Sequence, residues 1–75
     1  MAERETLSEI QQEGKVLVLL DGRTLRIRPA DFSKSGNWFI ISELEMSEGS
    51  DDPLYNIRVR NLEQNEEVLA MWISV

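Results

Sequence analysis

Three short runs place like charges two residues apart: Arg26-Ile27-Arg28, Glu43-Leu44-Glu45 and Arg58-Val59-Arg60. Two residues is the side-chain repeat of a β-strand. Each pair of charges therefore shares one face, and the apolar residue between them takes the other. The signs run plus, minus, plus along the chain. In a meander of neighbouring strands the glutamate strand lies between the arginine strands. The pattern predicts a cross-strand ion ladder in which each opposed pair contributes roughly 0.2–1 kcal/mol. Four arginines against two glutamates leave an excess of positive charge on that face, enough to hold one anionic group of a partner.

The flanking sequence extends the strand reading. Lys15 to Leu20 is a Val- and Leu-rich strand, and Asp21-Gly22 is a hairpin turn of the type that uses positive φ at its two central residues. Thr24 to Arg28 alternates, with Leu25 and Ile27 inward, and Pro29 ends it because proline donates no ladder hydrogen bond. Ala30 to Asn37 is a polar connection. Trp38 to Met46 reads as a long strand, apolar on both faces at its start and alternating at its end. Such a change of pattern marks a strand that bends between layers. Ser47 to Pro53 is an acidic loop. Tyr55, Ile57 and Val59 share a face of the next strand, Asn61 to Glu66 is a turn, and Val68 to Val75 is a last strand. Trp72, Ile73 and Val75 favour strand over helix there.

Residues 1–5 are expected to fray. Thr6 and Glu9 form a Thr-x-x-Glu capping box, which predicts a short helix over Leu7 to Glu13 that docks through Leu7 and Ile10 and stops at Gly14. The expected fold is mostly β. A short N-terminal helix precedes a five-stranded antiparallel bent sheet or small barrel, one domain over residues 6–75. The chain has no internal repeat.

The stretch Val16-Leu17-Val18-Leu19-Leu20-Asp21-Gly22-Arg23-Thr24-Leu25 resembles the first motif of the Sm-like proteins, within the broader SH3-like small barrels. The resemblance covers about residues 15–46. It implies a bent antiparallel barrel, and Asp31 and Asn37 as counterparts of the Asp and Asn that line the family's RNA pocket. Their spacing is longer than the family's Asp-x-x-x-Asn. The family's glycine in the second strand and its Arg-Gly turn near the end are both missing.

Composition narrows the function classes. The chain of 75 residues contains no histidine and no cysteine. It therefore lacks the commonest neutral-pH base and the ligands of ordinary zinc and copper sites, and a Ser–His or Cys–His nucleophile system cannot be built within it. No cofactor, metal site or small-molecule substrate is expected, and the chain reads as non-catalytic. Ser33-Lys34-Ser35 is a Ser/Lys pair only on paper, because nothing in a flexible, exposed loop activates the lysine as a base. With 41% hydrophobic and 29% charged residues the composition is that of a globular domain. The apolar runs, such as Val16 to Leu20 and Val68 to Ile73, are too short to cross a bilayer, and Met1 to Glu5 lacks a signal-type apolar region. Absent cysteine points to a reducing cytoplasm, or to the interior of a host cell for a viral protein.

The net charge of −6 repels nucleic acid unless the basic residues cluster. Expected partners are a protein or further copies of the chain. The candidate partner-binding residues are Phe32, Phe39 and Met71 as apolar contacts, Asp51 and Asp52 in the acidic loop, and Arg58 and Arg60 as the cationic pair. Two alternatives stand beside protein binding. One is an acidic inhibitor that mimics nucleic-acid phosphates against a basic protein; the other is an Sm-like RNA-binding ring.

Overall fold

A computed structural model describes residues 2–73. Six antiparallel strands close into a barrel: β1 Glu3–Gln11, β2 Val16–Leu19, β3 Thr24–Ile27, β4 Glu43–Glu48, β5 Ile57–Asn61 and β6 Glu66–Ile73. Around the barrel the order is β1-β2-β3-β6-β5-β4, with β4 returning to β1. Closure satisfies both edges of the sheet. Every strand contributes to one core: Leu7, Leu17, Leu25, Leu44, Val59 and Val68 are each at most 1% exposed. Burying such a side chain stabilises by roughly 1.5–3 kcal/mol, so this cluster is the main source of stability.

The N-terminal helix is not present. Leu7 to Gln11 belongs to β1, and only Gln12–Gly14 coils, as a left-handed 3₁₀ turn whose three residues all have positive φ. The reason lies in the register. Leu7 pairs with Leu19 and Glu9 with Val18, so a bulge at Ser8 absorbs one residue. Leu7 and Ile10, three apart, then both face the core. A bulged strand thus reproduces the apolar spacing of a helix. β1 is also the strand that bends. Glu3 to Thr6, including the residues expected to fray, pair with β4, and Leu7 to Gln11 pair with β2.

The long strand from Trp38 is shortened to Glu43–Glu48. Ahead of it, Pro29–Asp31 forms a 3₁₀ turn and Phe32–Ser35 a single helical turn, α1. This mid-chain coil replaces the expected N-terminal helix. The Asp21-Gly22 hairpin stands, but with a different turn. The Gly22 N–H donates to the Leu19 carbonyl at 2.9 Å, so Leu20 and Asp21 are the central residues; neither has positive φ, and Gly22 follows them at φ +96°. That is a type I turn closed by a left-handed glycine. Ser74 and Val75, the end of the expected last strand, lie outside the described residues.

The ladder is half as expected. Glu45 does lie between arginines, facing Arg60 of β5 and Arg4 of β1. The Arg4 Nε lies 3.5 Å from the Glu45 carboxylate. Arg26 and Arg28 are elsewhere, because β3 sits between β2 and β6. The plus–minus–plus row therefore uses Arg4, a residue of the bent first strand.

Candidate protein-binding surface

The segment between α1 and β4 is pinned at both ends. Trp38 is buried, and its indole N–H donates to the Glu66 carboxylate at 2.8 Å. At the other end the Ile41 N–H donates to the Leu7 carbonyl at 2.6 Å, and the Leu7 N–H donates to the Ser42 carbonyl at 2.8 Å. Ile41 sits at φ +72°, which is rare for a β-branched residue. That turn breaks the strand pattern and presents Phe39, Ile40 and Ile41 outward, 72%, 56% and 67% exposed.

Leu20, 64% exposed, joins them. Its N–H donates to the Thr6 carbonyl, on the side of β1 opposite to Ile41. Two strand spacings, about 10 Å, separate the two backbones. Across the outer wall at this level run Leu20, Thr6, Glu43 and Leu62, one residue from each of four neighbouring chain segments. Large apolar side chains standing singly on a surface are ordinary; several gathered at one level form a patch that water solvates poorly. Leu54, also exposed, lies beyond the opposite end of β4 and is not part of it.

Two carboxylates sit within this apolar surface. The Thr6 hydroxyl donates to the Glu43 carboxylate at 3.5 Å, and the Glu63 carboxylate accepts the Glu43 N–H at 3.2 Å. Among the described residues neither carboxylate forms an ion pair.

The other candidates fall into separate places. Asp51, Asp52 and Arg58 line one open cleft together with Arg28, Lys34 and Glu67. Asp52 is largely committed to its own loop. Its carboxylate accepts the N–H groups of Tyr55 and Leu54, both at 2.9 Å. The Tyr55 N–H, then that of Leu54, and then the charge of Arg28 hold its pKa below the ordinary 3.8. A depressed carboxylate pKa means that the unfolded chain binds the proton more readily. The associated stability is complete above the ordinary value and is lost as pH falls through the folded one. Urea midpoints measured from about pH 5 down to about pH 2 should fall less steeply in Asp52→Asn than in the wild type. The asparagine keeps the acceptor and lacks the charge; equal slopes would contradict the assignment.

Phe32 is half-buried against the core, with the Lys15 Nζ 5.7 Å from its ring centroid. The Arg60 guanidinium donates to Asn65 at 2.5 Å. Met71 lies in the β3–β6 wall opposite Arg26. The fold thus brings three of the seven candidates together and leaves Phe39 in the apolar patch. Reasoning from sequence missed Leu20, Ile40, Glu43 as a patch residue, and Glu63. Of these, only the doubly apolar start of the Trp38 run carried a signal.

Asp31 and Asn37 are used inside the fold. Asp31 is buried and accepts the Leu69 N–H at 2.9 Å, while Arg28 binds its carboxylate at 3.1 Å. The exposed Asn37 amide donates to the Ser33 carbonyl at 2.7 Å. Among the described residues no helix is long and apolar enough to cross a membrane. Compared with known proteins, the chain matches no family model, no curated protein and no solved structure.

Proposed function

We propose that this barrel, of the SH3-like and Sm-like kind, is a non-catalytic protein-binding module. The observation that carries the reading is the outward presentation of Phe39, Ile40 and Ile41 beside Leu20, on a segment held at both ends by hydrogen bonds. A held apolar surface loses little conformational freedom on docking, which favours binding by a preformed face. The closed barrel offers no free strand edge for pairing among the described residues, which supports docking on an outer face instead.

A variant bait tests the reading. Wild-type protein and the Phe39→Asp/Ile41→Asp double variant are used to capture proteins from source lysate, with circular dichroism verifying that both are folded. The expected result is a discrete set of proteins that the wild type retains and the double variant loses. An Asp51→Asn/Asp52→Asn bait should retain the same set. A set that survives the apolar substitutions and disappears with the acidic ones would overturn the assignment in favour of an acidic mimic. Sizing at micromolar concentration should give a monomer; an oligomer dissolved by the Phe39→Asp/Ile41→Asp change would turn the reading to self-association.

A further inference from the structure

The protein-binding reading leaves the chemistry of the partner open, and the carboxylates within the patch narrow it. We propose that the face formed by Leu20, Phe39, Ile40 and Ile41 receives an apolar polypeptide segment that carries a lysine or arginine, and that this cation docks against Glu43 and Glu63. The inference rests on that face being the binding surface.

Covering this face desolvates its carboxylates. Glu43 stands in the row Leu20, Thr6, Glu43, Leu62, so any partner that covers Leu20 and Ile41 also removes water from its carboxylate. Its contact with the Thr6 hydroxyl is long, at 3.5 Å, and compensates little of the lost hydration. Glu63 adds a second negative charge at the same place, with one of its oxygens on the Glu43 N–H. A purely apolar partner would leave an unpaired buried charge, which is unfavourable. A cation on the partner converts that penalty into a charge-assisted hydrogen bond.

The same charges argue against the other occupants. A two-fold dimer through this face would gather four carboxylates, Glu43 and Glu63 of each copy, into one desolvated interface, and the patch itself supplies no cation to pair with them. Nucleic acid and anionic lipid surfaces carry the wrong sign for this patch and for a chain of net charge −6. Arg4 is paired with Glu45, and Arg60 is turned onto the Asn65 amide; among the described residues neither arginine forms an ion pair with Glu43 or Glu63.

A displayed library of random peptides, selected against three baits, tests the inference. The baits are the wild type, Phe39→Asp/Ile41→Asp and Glu43→Lys/Glu63→Lys, each verified as folded. The wild type should enrich apolar sequences that contain Lys or Arg. The apolar variant should lose that enrichment, and the charge-reversed variant should enrich Asp or Glu in its place. A synthetic peptide from the wild-type selection should bind Glu43→Gln about tenfold more weakly and lose affinity as salt rises. Enriched apolar peptides with no basic bias, or a basic bias that survives charge reversal, would overturn the cation and leave the binding face standing. Enrichment unaffected by the Phe39→Asp/Ile41→Asp change, or no enrichment at all, would overturn the binding face itself.

Discussion

Gly14→Ala should destabilise the protein by about 3 kcal/mol or more, combining roughly 1–3 for a strained left-handed backbone with roughly 1–3 for overpacking. Gly14 ends the 3₁₀ turn after β1 at φ +98°, and a Cβ placed there falls 2.5 Å from the Cα of Gly36 and 3.0 Å from the Phe32 carbonyl oxygen. Both obstacles are backbone, so no rotamer change relieves them. The approach is tight from the other side as well, since a Cβ on Gly36 would meet the Glu13 carbonyl oxygen at 2.8 Å. Ser35 fixes the contact by donating to the Gly14 carbonyl at 2.6 Å. Gly22 supplies the control. Its φ of +96° is nearly the same, but nothing lies within 4 Å of an added Cβ. Chemical denaturation of Gly14→Ala and Gly22→Ala therefore separates the two contributions. Equal losses in the two variants would show that the packing of the 3₁₀ turn on α1 contributes nothing.

Asp31→Ala should be the most damaging change to a polar side chain, at about 2–4 kcal/mol. Breaking a fully buried pair costs roughly 3–5 kcal/mol, and the partial exposure of Arg28 moderates it. The Asp31 side chain is 4% exposed and that of Arg28 is 35% exposed. The carboxylate joins three pieces of chain: the Leu69 N–H of β6, Arg28 after β3, and Lys34 of α1 at 3.8 Å. Removing it strands the Leu69 N–H and leaves Arg28 unpaired, and the Arg28 Nε is already buried without a hydrogen-bond partner among the described residues. Asp31→Asn keeps an acceptor for Leu69 while losing the charge, so its loss should be intermediate. If the alanine and asparagine variants lose the same stability, the ion pair rather than the backbone hydrogen bond is what matters. If neither unfolds more readily than wild type, the joint has no structural role.

The same residue shows where sequence reasoning stops. Asp31 follows Pro29 in a polar connection and reads as an exposed loop residue, available to line a pocket. Its burial depends on β6 passing alongside the end of β3, some forty residues away in sequence. Glu43 is a similar case. Its alternation with Leu44 and Glu45 correctly puts it on an outer face, yet its apolar neighbours Leu20 and Leu62 come from turns that follow other strands. The Trp38 run misleads for a local reason. Four apolar residues in a row favour strand, but the left-handed turn at Ile41 diverts them, and only Trp38 goes into the core.

The period-two pattern and the turn residues specify β2, β3, β5 and β6, the inward positions Leu25, Ile27, Ile57 and Val59, and the reversal at Gly22. Each of these depends on residues a few positions apart, where φ/ψ preference and side-chain alternation act directly. Strand order does not. Whether β4 lies beside β3 or β1 is decided by the bend and bulge of β1, which let one strand pair with two others and close the barrel. That closure puts Arg4 rather than Arg26 beside Glu45, buries Asp31, and leaves Phe39, Ile40 and Ile41 facing water. Long-range pairing is selected by the free energy of the whole closed sheet, and no single strand carries enough of it to be read alone.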